Sequence, residues 1–332
     1  HKVLCRPYFV KVNTGYTCNL RCPLCPTGRL ANRPAGNLTL ENIHFIAPHI
    51  KGIPLISLFG WGEPFLNKDI FDIISFLKNS GFYIQIHSNL NIKNKNIVKS
   101  ITDSQIDLLS VSLDGIDQES YATYRYSGSF KLAFENMIFI NRSPKRPKRI
   151  EWQYLIHRKN YLFEEKAKKQ AKIENIPIRF FDIGLYLDIF YNNTRKIKQE
   201  WWTEEQQANK KNEQKKSKSG SSCMYMYNDP FIDSDGSLYP CCIAAQAPAE
   251  VVNQGYQNVF GNLHDNKFME IWNNEYYQMA RSLFSKRPFK GNKIKLICMR
   301  CKVYLDTRNN VAYNDIPVFN DKTISIKRNT SN

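Results

Sequence analysis

Gly15-Tyr16-Thr17-Cys18-Asn19-Leu20-Arg21-Cys22-Pro23-Leu24-Cys25-Pro26 sets three cysteines in a C-x3-C-x2-C run. So short a loop can wrap one corner of a metal centre, but it supplies only three ligands. A closed structural zinc site takes four ligands, and an iron–sulfur cubane is normally held by four thiolates. Three thiolates therefore leave one iron open to something other than protein, and an open position is where chemistry takes place. The run follows directly on a β-rich stretch, Tyr8–Asn13, which puts the thiols at the carboxyl end of a strand.

Outward from that loop, short apolar runs alternate with helical patterns. Thr39 is placed to cap a helix opening at Leu40. Pro54–Phe59 reads as a buried strand running into Gly60-Trp61-Gly62-Glu63-Pro64, and Lys68–Ser80 as a helix ended by Gly81. Strand Phe82–His87, helix Asn94–Ile101 and strand Ile106–Leu113 follow, the last ending at Asp114-Gly115. Helical stretches at Gln118–Tyr124 and Phe130–Ile140 lead to strand Ile150–Ile156, helix Tyr161–Asn175 and strand Ile178–Asp182. Six β/α units imply an α/β fold with a parallel sheet, either open and doubly wound or curled into a partial (β/α)6 barrel. In such sheets the site lies at the carboxyl ends of the strands. The cysteine loop, the Gly60–Pro64 turn, His87-Ser88-Asn89 and Ser112-Leu113-Asp114-Gly115 all fall there.

The 332 residues divide on this reading into a barrel at 1–194, a charged helix and linker at 195–222, a smaller α+β unit at 223–310 and a tail at 311–332. No apolar run approaches the ~20 residues of a membrane span, and no signal peptide opens the chain, which points to the cytoplasm. With nine cysteines in that setting, thiols kept for metal or catalysis are expected rather than disulfides. The formal charge of +17 invites a nucleic-acid reading. Lysines are spread widely, however, and the densest patch, Pro144-Lys145-Arg146-Pro147-Lys148-Arg149, reads as an exposed loop with no recognition module beside it.

The cysteine run, the Gly60–Pro64 turn and the six β/α units together resemble the radical S-adenosylmethionine superfamily. In that family the three cysteines, here Cys18, Cys22 and Cys25, hold a [4Fe–4S] cluster whose open iron binds the amino and carboxylate groups of S-adenosylmethionine. One electron then cleaves the sulfonium to a 5′-deoxyadenosyl radical, which abstracts hydrogen from substrate. The resemblance implies a low-potential electron donor such as flavodoxin or ferredoxin. Gly60, Gly62, Glu63 and Pro64 resemble the family's Gly-Gly-Glu-Pro turn around the methionyl ammonium, with Trp61 a departure; glycine there lets the backbone approach closely. Ser88 and Asn89 fall at a ribose-contacting turn in which Leu90 replaces a glycine. Ser112 and Arg125 resemble further cofactor contacts, Arg125 through a carboxylate.

A second cysteine set occupies the C-terminal third: Cys223, Cys241, Cys242, Cys298 and Cys301. Its G-x4-C and C-x2-C spacings resemble the SPASM/twitch extension that carries auxiliary iron–sulfur clusters. With no cysteine after Cys301, one auxiliary cluster is expected, ligated by Cys223, Cys241, Cys298 and Cys301; full ligation favours electron transfer or structure over substrate binding. Cys242 is read as a bystander able to replace Cys241, Cys5 as a free thiol, and His157 as a packed or solvated residue rather than a catalytic one. The arrangement resembles the aminocyclitol dehydrogenases, which implies net oxidation of a sugar alcohol. Peptide maturases are the rival, and a non-catalytic zinc-bound module with a basic surface is the alternative from another class. Asp182, Asp188 and Arg195 follow the sixth strand, where surface placement is the default reading and reach to a small-molecule or peptide substrate at the barrel mouth the alternative.

Overall fold

The computed structural model describes residues 1–25, 27, 36–183, 195–208, 223–247, 249–285, 289–291, 294–301 and 304. The strands are β1 (Phe9–Val12), β2 (Leu55–Leu58), β3 (Tyr83–Ser88), β4 (Leu108–Ser112), β5 (Arg149–Ile156) and β6 (Ile178–Asp182). Between them run α1 (Leu40–Ile50), α2 (Ile70–Asn79), α3 (Lys95–Asp103), α4 (Gln118–Ala122), α5 (Phe130–Arg142) and α6 (Glu164–Ile173). Local signals act as the sequence predicts. Thr39 accepts the amide of Asn42 at 3.1 Å and caps α1, and Gly81 takes φ +84° just past α2.

All six strands pair in parallel and in chain order, β1 through β6. A doubly wound sheet reverses direction at a switch point. Here no reversal occurs, so right-handed crossovers place every helix on the same face. That resolves the two sheet readings in favour of the partial barrel. The two faces differ in chemistry. Val10, Val12, Ile56, Ile84, Ile86, Leu109, Val111, Trp152 and Tyr154 are buried in one apolar core with the helices. The alternate positions carry Lys11, Ser57, His87, Ser110, Glu151, Gln153 and Arg179, in register from strand to strand. Period-2 alternation thus gives the barrel a polar inner wall.

The barrel does not close. At its open edge β1 pairs in parallel with β7 (Phe231–Ile232), which continues through an antiparallel meander to β8 (Ser237–Tyr239) and β9 (Gly261–Asn262). The cysteine-rich C-terminal part is therefore an extension of the barrel sheet, with Lys11 opposite Phe231. Helices α7 (Arg195–Trp201), α8 (Tyr225–Asn228), α9 (Ala249–Val252), α10 (Phe268–Trp272) and α11 (Glu275–Ser282) complete the described elements. The linker at 209–222, the tail at 311–332, Asp188 and the side chain of Arg195 lie outside the described residues. Among the described residues no helix is long and apolar enough to cross a membrane.

Candidate functional site

The three-cysteine loop lies at the carboxyl end of β1. Leu20, Cys22 and Leu24 are buried with Tyr124, Ile183, Trp201 and Trp202, while Cys18 and Cys25 pack at the margin. The last two rings come from α7 and the residue after it, which pack over the loop. Backbone and side chains donate to the sulfurs: Leu20 N at 3.4 Å and Asn89 Nδ2 at 3.8 Å to Cys18, and Arg125 Nη1 at 3.8 Å to Cys22. Arg125 is fixed by a 2.5 Å ion pair from its Nε to the buried Asp114. Burial pushes the thiol of Cys18 up to about 11 and that of Cys22 up to about 12. Thiols so buried become thiolates only beside a strong positive centre, and this donor set fits one: three soft sulfurs, each within the field of the others.

The Gly60–Pro64 turn packs on that loop. A Cβ on Gly62 would stand 2.5 Å from the carbonyl oxygen of Thr17 and 2.8 Å from that of Gly15. One on Gly60 would fall 1.9 Å from Asn13 Oδ1. In this structure, then, the protein's own backbone and Asn13 require the glycines. Pro64 opens a 3-10 turn, Pro64–Leu66, with Glu63 as its cap. The Glu63 carboxylate is turned inward, accepting Ser88 Oγ at 2.7 Å, Asn89 N at 2.8 Å and Phe65 N at 3.3 Å. Burial raises its pKa to about 7. Ser88 and Asn89 thus clamp the turn, and Asn89 also reaches Cys18. Leu90 holds φ +49°, the left-handed conformation a glycine would adopt freely. Ser112 ends β4 opposite Gln153.

The second cysteine set closes around its own space. Cys223, Cys241, Cys298 and Cys301 line a cavity of about 50 Å³ together with Tyr225, Met226, Ile243, Ala244, Phe284 and Ile297. Cys223 precedes α8, Cys241 follows β8, and Cys298 lies within a 3-10 turn, Ile297–Arg300, that Cys301 caps by its N on Cys298 O at 3.1 Å. Burial raises Cys241 and Cys298 well above the usual thiol range, and each of them lies in the field of Cys301 and Cys223. Cys242 is not in this ring. It packs against Trp61 and Phe231 and faces the Lys11 ammonium. Among the described residues no three His, Cys, Asp or Glu side chains are gathered to hold a single ion. Four thiols ringing an apolar cavity instead fit a larger, thiolate-bound inorganic core.

Sequence reading missed what joins the two sets. Asp233, at the β7–β8 turn, accepts Asn13 Nδ2 at 2.7 Å and Tyr16 Oη at 2.5 Å. Lys11 forms an ion pair with Asp229. Both carboxylates lie more than 200 residues downstream of their partners, so no local pattern carries the signal. His157 is buried, its ring tilted against Tyr124 and edge-on to Trp201. Cys5 is exposed and free. Asp182 accepts Gln206 Nε2 at 2.9 Å.

Comparison with known proteins agrees with this geometry. The model of the radical SAM superfamily matches residues 12–143, and that of the SPASM iron–sulfur cluster-binding domain matches residues 223–302. The chain belongs to the radical SAM superfamily and carries a C-terminal SPASM domain; its cofactors are [4Fe–4S] clusters and S-adenosylmethionine. Among curated proteins, it is 32% identical over 110 residues to the AdoMet-dependent heme synthase of Methanosarcina barkeri, covering 32% of this chain and 31% of that protein. It is 26% identical over 113 residues to the 7,8-dihydro-6-hydroxymethylpterin dimethyltransferase of Methanocaldococcus jannaschii, covering 32% of this chain and 22% of that protein. The matches thus span less than a third of either relative's length. Among solved structures, Streptococcus suis SuiB bound to its precursor peptide SuiA superposes with TM-score 0.61 at 14% identity, over 90% of this chain and 70% of that one. The anSMEcpe structure with bound AdoMet gives 0.57 at 14% identity, over 91% and 96%. At that identity the likeness is one of fold.

Proposed function

We propose that this chain cleaves S-adenosylmethionine reductively at the cluster of Cys18, Cys22 and Cys25, abstracts hydrogen from a substrate at the barrel mouth, and completes a net oxidation through a second cluster. The observation that carries this reading is the unequal thiol count: three at the carboxyl end of β1, four around the apolar cavity. Cys18, Cys22 and Cys25 would hold a cluster that, with S-adenosylmethionine, would supply hydrogen-abstracting radical chemistry at this site. The four-thiol site, closed by Cys223, Cys241, Cys298 and Cys301, leaves no position for substrate and suits electron transfer.

The chain's own residues do the positioning. Gly60 and Gly62 let the turn lie on the cysteine loop, and Glu63, held by Ser88 and Asn89, fixes the turn's carbonyls toward the cofactor's ammonium. Arg125 sits on the Cys22 sulfur, where its remaining donors reach a cofactor carboxylate. Ser112 lines the same rim. The polar wall above Lys11, His87 and Gln153 receives the substrate, and Trp202 with its neighbours keeps water from the loop. A low-potential donor such as flavodoxin or ferredoxin delivers the electron.

Two substrate classes fit. A sugar alcohol or aminocyclitol follows from one fully ligated auxiliary cluster. A peptide side chain is supported by SuiB, solved with its peptide SuiA, and by anSMEcpe, solved with the Cp18Cys peptide at TM-score 0.56. Anaerobic reconstitution tests the common core. Roughly eight irons per chain and reductant-dependent 5′-deoxyadenosine are expected. One or two zinc ions and no cleavage would overturn it in favour of a metal-bound basic module. Stimulation of cleavage by candidate peptides or by polyols then separates the substrate classes.

A further inference from the structure

Lys11 stands on the inner face of β1, where the barrel sheet hands over to the auxiliary extension. Its ammonium is enclosed. The ion pair with Asp229 leaves both side chains less than a fifth exposed, and the rings of Tyr225, Phe9 and Phe59 lie 5.2, 5.5 and 5.9 Å from Nζ. Tyr225 is shared: its ring meets the Lys11 ammonium, and the same residue lines the cavity of Cys223, Cys241, Cys298 and Cys301. The Lys11 charge also acts on Cys241 and Cys242. A fixed cation and its counter-ion therefore sit one aromatic ring from the four-thiol cavity, in surroundings that screen charge poorly.

We propose that the Lys11–Asp229 pair sets the reduction potential of the auxiliary cluster, with Lys11 making that cluster a better electron acceptor. This rests on the assignment of Cys223, Cys241, Cys298 and Cys301 as its ligands. Net charge around an iron–sulfur core is one of the terms that fix its potential. Reduction adds one negative charge, which a nearby ammonium stabilises and a nearby carboxylate destabilises. The carboxylate has its own part: it pairs with the ammonium and fixes its place on β1, while the three aromatic faces help keep the charge on Lys11. Position in the chain supports the role. β1 carries the substrate-facing wall and leads into Cys18, so one side chain on it borders substrate, barrel and auxiliary site at once.

The test uses the full chain with Cys18, Cys22 and Cys25 changed to Ala, so that only the auxiliary cluster assembles. Its midpoint is read by redox titration followed by electron paramagnetic resonance. Lys11→Met should shift it negative, lowering the reduced-to-oxidised ratio at the parent's midpoint about tenfold, which is about 59 mV for one electron. Asp229→Asn should shift it positive, and Lys11→Arg should stay near the parent. Opposite signs are the signature, because a merely structural pair would disturb the cluster in the same direction from either side. Unmoved midpoints, or shifts of one sign, overturn the proposal. If Lys11→Met holds no iron, Asp229→Asn and Lys11→Arg still decide it. A parent that binds no iron would instead refute the ligand assignment.

Discussion

Ser88 donates its hydroxyl to Glu63 Oε1 at 2.7 Å, tying the last residue of β3 to the turn that follows β2. The bond is buried at both ends, with Glu63 3% and Ser88 2% exposed. It makes one rigid body of the two segments. Ser88→Ala removes a donor from a buried carboxylate and should cost about 1–3 kcal/mol of stability. The loss should appear as a lower Tm and weaker S-adenosylmethionine binding.

The same carboxylate predicts a pH dependence. Glu63 has its pKa raised from 4.5 to about 7 by burial. Between those values the folded chain holds a proton that the unfolded chain has lost, so stability falls as pH rises through the window. The contribution is about 3 kcal/mol across it. Glu63→Gln should lower stability overall, because its amide opposes the Asn89 amide, yet flatten that slope. Denaturant titrations at pH 5, 6 and 7 check this.

His157 predicts the opposite slope. Burial lowers its pKa from 6.5 to about 3, and its Nδ1 accepts the amide of Lys159 at 3.2 Å. The neutral ring is what packs on Trp201, so the unfolded chain binds the extra proton. Stability from this group is complete above pH 6.5 and is lost as pH falls, by about 5 kcal/mol at most. His157→Gln should remove that acid-side loss. If acid sensitivity between pH 4 and 6 is unchanged in the variant, His157 is not its source.

Gly62→Ala tests the packing of turn on loop. The added methyl would meet two carbonyl oxygens, at 2.5 and 2.8 Å, that belong to backbone and cannot swing away. The loop bearing Cys18 must shift, and iron should fall from about eight toward about four per chain, with the auxiliary spectrum retained.

Cys242→Ala and Cys241→Ala differ by one position and should differ in outcome. Cys241 lines the four-thiol cavity and Cys242 does not. Removing Cys242 should leave about eight irons, and removing Cys241 should leave about four. Equal loss from both would mean that Cys242 serves as a ligand.

Much of this was legible in the sequence because it is local. C-x3-C-x2-C, the glycines at 60 and 62 and the cap at Thr39 each act within a few residues of where they are read. Singly wound topology was not legible, since strand order is a property of the whole sheet. The roles of Glu63 and Gly62 illustrate the limit. Their residue types were evident, but their partners Ser88, Thr17 and Gly15 are set by packing between separate β/α units. Leu90 shows the converse: its identity argued against a left-handed turn, yet burial of its side chain and the hydrogen bond from its amide to Ser88 Oγ at 3.0 Å hold it at φ +49°. The Lys11–Asp229 and Asn13–Asp233 contacts join residues 218 and 220 positions apart and left no trace in spacing.

The pairing of β1 with β7 has a consequence for solubility. An uncovered strand at the rim of a sheet is a template for intermolecular joining, and β1 has nothing else described on that side to guard it. The cysteine-rich extension is thus also a shield. A version of the protein ending before residue 223 should self-associate through the bared strand even if its three-cysteine loop assembles normally, so failed expression of the barrel alone would speak of stickiness rather than of misfolding.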